Sequence, residues 1–80
     1  MSDYEYNVKK VLQYYSLNST YLSHSEAIMT ALSLDMWWKE GLLTKSVRND
    51  PYSAWNRLND VQKSIVKDFR SGKYDKMLHS

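Results

Sequence analysis

"SHSEAIMTALSLDMWWKEG", residues 23–41, decides how this chain of 80 residues folds. Ser23 with Glu26 three positions later has capping-box spacing. In that arrangement the serine hydroxyl and the glutamate carboxylate each satisfy a backbone N–H at a helix start. Behind the cap come Ala27, Ile28, Ala31, Leu32, Leu34, Met36, Trp37 and Trp38, then Gly41, a residue suited to the position just past a helix end. The spacing predicts one helix from about His24 to Glu40. Its apolar residues cover more than one stripe, as expected of a central helix packed on two sides. The alternative is a break near Ser33–Asp35, with Asp35 capping a separate short helix that holds the tryptophans.

Adjacent residues on a helix point about 100° apart, so Trp37 and Trp38 do not share one narrow stripe. The series Ala27, Ala31, Leu34, Trp38 is apolar throughout. The series Ile28, Ala31, Leu32, Asp35, Trp38 is spoiled by Asp35. This pattern places Trp38 in the core. It leaves Trp37 as the more exposed indole, at a seam that continues into a partner.

Helical spacing extends outward from this stretch in both directions. Tyr4, Val8, Val11, Leu12 and Tyr15 make one face of a helix from about Asp3 to Tyr15, capped by Ser2 or Asp3. "SLNST", residues 16–20, reads as a loop of residues that bond their own backbone. "LLTKSVRND", residues 42–50, is a connector whose Leu42, Leu43 and Val47 tuck back against the bundle. Asp50-Pro51 is the strongest boundary, an N-cap acceptor followed by proline at the first helical position. Ala54, Trp55, Leu58, Val61, Ile65 and Phe69 keep helical spacing to Gly72. Asn59-Asp60 offers an interruption, recapped with Gln62. The tail from Lys73 to Ser80 is polar apart from Tyr74, Met77 and Leu78 and is expected to fray. The expected fold is all-α, a compact bundle of three to five helices in a single domain over 1–80.

Composition narrows the function classes. A chain this short buries about 60% of its unfolded surface, so its stability margin is small. Without cysteine there is no disulfide, thiolate nucleophile or thiolate metal ligand, and two histidines are too few for an imidazole cluster. No metal or other cofactor is expected. No apolar run approaches the roughly 20 residues of a membrane span. "MSDYEYNVKK" does not resemble a signal peptide. The expected setting is therefore cytoplasmic, and the sequon at Asn18–Thr20 reads as accidental. The chain reads as a complete small frame of the kind that suits bacterial or phage regulators.

No HExxH, glycine-rich phosphate loop or calcium loop occurs. His24 reads as an exposed residue at a helix cap, and His79 falls in the tail. The carboxylate pairs Asp35/Glu40 and Asp60/Asp68 read as solvated faces. No catalytic constellation results, and no enzyme or small-molecule substrate is expected.

Two binding classes remain. Aromatics exceed what one inward stripe per helix hides. Trp37, Met36, Tyr6, Tyr14 and Tyr21 are the candidates for a protein-binding or self-associating surface, because Trp, Tyr and Met are enriched at interfaces. This makes the chain a non-catalytic adaptor, inhibitor or small regulator whose partner is another protein or a second copy in a homodimer. The alternative rests on charge. The net charge is +2. Residues 1–40 hold three basic and five acidic side chains, and residues 41–80 hold eight basic and four acidic. Lys63, Lys67 and Arg70 form a basic stripe that Lys73 extends, which suits a DNA- or RNA-binding regulator.

Overall fold

The computed structural model describes residues 2–17 and 20–78, and among them the chain is all-α. The helices are α1 (Asp3–Leu17), α2 (His24–Ser33), α3 (Lys45–Arg48), α4 (Pro51–Asn56), α5 (Asp60–Arg70) and α6 (Asp75–Leu78). Asn18, Ser19, His79 and Ser80 lie outside the described residues, and with them part of the sequon and the second histidine.

The caps written in the sequence are built. Ser23 Oγ accepts from the Glu26 N–H while the Glu26 carboxylate accepts from the Ser23 N–H at 2.9 Å. Asn59 and Gln62 repeat the reciprocal pair at the start of α5, at 2.8 and 3.1 Å. Asp50 accepts from the Ser53 N–H at 3.1 Å, with Pro51 in the first turn of α4. Thr44 caps a short helix inside the segment expected to be connector.

The expected long second helix is instead broken, as the alternative allowed. Leu34 is the C-cap of α2, and Asp35 follows with φ 57°. The Met36 N–H donates to the Ala31 carbonyl at 2.8 Å, the six-to-one bond that closes a helix through a left-handed residue. Residues 34–43 then run as successive turns rather than a helix. Asp35 therefore ends one helix and does not cap another. Gly41, with φ 85°, serves a turn eight positions past Ser33, where α2 ends. The helix α5 closes in the same way, with Gly72 at φ 97° and the Lys73 N–H donating to the Asp68 carbonyl at 3.1 Å.

The core is a three-helix arrangement. Helix α2 packs against α1, α4 and α5, and α1 packs against α5. In α2 the four consecutive residues Ile28, Met29, Thr30 and Ala31 are all buried. They span a full turn of 3.6 residues, so α2 is central. From α5, Gln62, Ile65, Val66 and Phe69 point inward at ideal helical spacing. From α1 the buried set is Val8, Val11 and Tyr14. Leu43, Val47, Ala54 and Leu58 close the remaining side. Tyr15, expected inward, is exposed, and Tyr14 takes its place. Within the tail, Tyr74 stacks on Phe69 with centroids 4.5 Å apart, and α6 follows.

Among the described residues no helix is long and apolar enough to cross a membrane.

Candidate protein-binding surface

The turns at 34–43 position the two tryptophans differently. Trp37 folds back on the core, and its indole Nε1–H donates to the Arg48 carbonyl at 3.0 Å. That carbonyl lies at the end of α3, where the last backbone acceptors of a helix have no partner within it. Trp38 points away and is 72% exposed. The sequence-based assignment is thus reversed: Trp37 is the anchored indole and Trp38 the free one. The reason is backbone geometry. Once α2 stops at Ser33, helical periodicity no longer governs residues 37 and 38.

Met36 is half-buried beside this turn. Tyr6 is 40% exposed and Tyr21 is 84% exposed. Lys10 joins them: its Nζ sits 5.5 Å from the Tyr6 ring centroid and donates to the Tyr21 carbonyl at 3.1 Å. Tyr14, also expected at the surface, is only 7% exposed and belongs to the core. The Lys39 ammonium covers the Tyr14 ring at 5.0 Å from its centroid. Thr20, Leu22, Ala27, Lys39 and Leu42 surround Tyr14 in a shallow recess. Segment 20–22 therefore runs between the Tyr6–Lys10 face and the residues next to Trp38. The candidate tyrosines split accordingly, with two at the surface and one holding the fold.

Sequence reasoning missed Trp38 and Tyr52, both well exposed. Tyr52 sits outside the apolar series Ala54, Trp55, Leu58, and that offset was a usable signal. For Trp38 no signal existed without knowing the backbone at Asp35.

The basic stripe is largely engaged within the chain. Lys63 Nζ lies 5.8 Å from the Trp55 ring centroid. Arg70 Nη1 donates to the Leu32 carbonyl at 3.2 Å. Lys73 Nζ donates to the Tyr4 hydroxyl at 3.1 Å and lies 3.6 Å from Asp68 Oδ2. Lys67, Arg70 and Lys73 are all exposed, and Lys63 is half-buried. Asp68, expected to be solvated, is half-buried and accepts a hydrogen bond from the Tyr4 hydroxyl.

Three groups with acid–base potential have partners within the fold. His24 opens α2, and its Nε2 accepts from Arg57 Nη1 at 2.9 Å, since a guanidinium only donates. Partial burial, then the hydrogen bonds to Asp68 and Tyr74, hold the Tyr4 hydroxyl well above its ordinary pKa. The hydrogen bonds to Ser53 hold the Asp50 carboxyl below the usual range. Among the described residues no group of three or more His, Asp or Glu side chains is placed to hold a metal ion.

Comparison of the chain with protein-family models, with curated proteins and with solved structures returns no match.

Proposed function

We propose that this chain is a small, non-catalytic, cytoplasmic protein-binding module, an adaptor, inhibitor or regulator, acting through its aromatic surface or by self-association. The observation behind this reading is Trp38, 72% exposed beside a neighbour whose indole is hydrogen-bonded into the fold. An indole held out on an ordered turn loses little conformational freedom on binding, which favours affinity. Tryptophan is also the residue type most enriched among interface hot spots. The engaged state of Lys63, Arg70 and Lys73 weighs against nucleic acid as the principal partner.

The test compares wild type with Trp38→Ala by circular dichroism, sedimentation and affinity capture from lysate. Trp38→Ala is expected to keep its helix content and melting curve while losing dimerisation or a captured partner, a loss of about 2 kcal/mol or more in binding. Wild type that sediments as a monomer and captures nothing would overturn the reading. So would a low-salt mobility shift with DNA or RNA that Lys67→Ala abolishes and Trp38→Ala leaves intact.

A further inference from the structure

Beyond Gly72 the chain turns back across α1, and polar contacts fasten it at two places. At the near end the Tyr4 hydroxyl has one proton and two lone pairs, and all three are used. It donates to Asp68 Oδ2, accepts from Lys73 Nζ at 3.1 Å, and accepts from the Tyr74 hydroxyl at 2.7 Å, since its own proton is already engaged. At the far end the Tyr15 hydroxyl donates to the Leu78 carbonyl. Beside the Tyr4 clasp lies an open recess of about 200 Å³ lined by Tyr4, Glu5, Val8, Lys9, Leu12 and Tyr74.

We infer that residues 73–78 form a strap that opens and closes over the apolar flank of α1 as a unit separate from the three-helix core. The clasp is the Tyr4 hydroxyl with Asp68, Lys73 and Tyr74.

Three observations support the separation. Among the described residues the buried side chains all come from residues 8–69, and α6 buries none. The backbone bonds of the strap are local, from the Asp75 N–H to the Gly72 carbonyl and from the Met77 and Leu78 N–H groups to the Tyr74 carbonyl. Tyr74 and Leu78 are only partly buried where they pack against the core, unlike a core seam, where interdigitation ties two elements into one cooperative unit. Lifting the strap breaks the clasp, the Tyr15 bond and the Phe69–Tyr74 stack. It further exposes the Tyr4 and Phe69 rings, which Tyr74 contacts.

The experiment uses the full chain under native conditions. Trypsin cleavage after Lys73 and Lys76 reports strap opening, and amide hydrogen exchange at Ile28 and Ile65 reports the core. Tyr4→Phe and Tyr15→Phe each remove one fastening and keep the ring. Each is expected to speed cleavage after Lys73 and Lys76 about tenfold, as loss of one such bond implies, with exchange at Ile28 and Ile65 unchanged. Cleavage rates at wild-type level in both variants would overturn the inference. Core exchange accelerating by the same factor as strap cleavage would also overturn it, because the strap would then belong to the global unit. If Tyr4→Phe unfolds the chain, Tyr15→Phe decides alone.

Discussion

Arg70, near the end of α5, donates from Nη1 to the carbonyl of Leu32 at 3.2 Å, closing a helix end 38 positions away in sequence. The last turn of α2 has no basic residue of its own. Arg70 therefore supplies both a donor for an orphaned carbonyl and a positive charge at the negative pole of the central helix. Arg70→Ala is expected to cost about 1 kcal/mol, a fall in melting temperature of about 4–8 °C. An unchanged thermal melt would show that solvent serves the Leu32 carbonyl equally well.

Asp35 holds φ at 57°, where an L side chain crowds its own backbone. Asp35→Gly removes that crowding and is expected to hold or raise the melting temperature. Asp35→Val, branched at Cβ, is expected to lower stability by about 1–2 kcal/mol. Paired thermal melts check the ordering, and Val equal to Gly would mean that the turn reorganises freely.

Thr30 lies fully buried in α2, and its hydroxyl has no hydrogen-bond partner among the described residues. A buried polar group left unpaired costs about 1–3 kcal/mol. Thr30→Val keeps the shape and deletes the hydroxyl, so it is expected to stabilise by about 1 kcal/mol. Urea denaturation should show a higher midpoint at unchanged slope. A lower midpoint would mean that the hydroxyl is satisfied in solution.

Asp50 caps α4, and its hydrogen bonds to Ser53 lower its folded-state pKa. A carboxyl whose pKa is lowered by folding contributes stability above its unfolded value, near 4. That contribution is lost as pH falls through the folded value. Asp50→Ala should therefore lower the melting temperature at pH 7 and flatten the decline below about pH 4. Parallel acid limbs in wild type and variant would contradict this assignment.

The start signals of α2, α4 and α5 were legible because a cap is a local event: Ser23–Glu26, Asp50-Pro51 and Asn59–Gln62 need only their own neighbours. The end of α2 was not. Left-handed closure is usually written with glycine, and here aspartate takes that place while Gly41 waits further along as a decoy. The error passed directly to the tryptophans, whose assignment assumed a helix through residue 40. On α1, Val8 and Val11 fit two overlapping faces. Tertiary packing turned the helix toward Tyr14, leaving Tyr4 and Leu12 partly buried at the core's edge and Tyr15 exposed. The basic stripe was correctly spaced, but spacing does not reveal that Arg70 and Lys73 reach across to other elements.

The divergence of Trp37 and Trp38 equips the chain with an internal optical gauge. Trp37 and Trp55 are half-buried against the core, while Trp38 stands in solvent. Iodide, a collisional quencher that stays in water, reaches Trp38 far more readily than the other two. The quenchable share of emission thus measures how much of that indole is covered, and the unquenched share follows folding. Titrating any candidate ligand against iodide accessibility separates occupation of the turn from a change elsewhere in the molecule, without a label or a mutation.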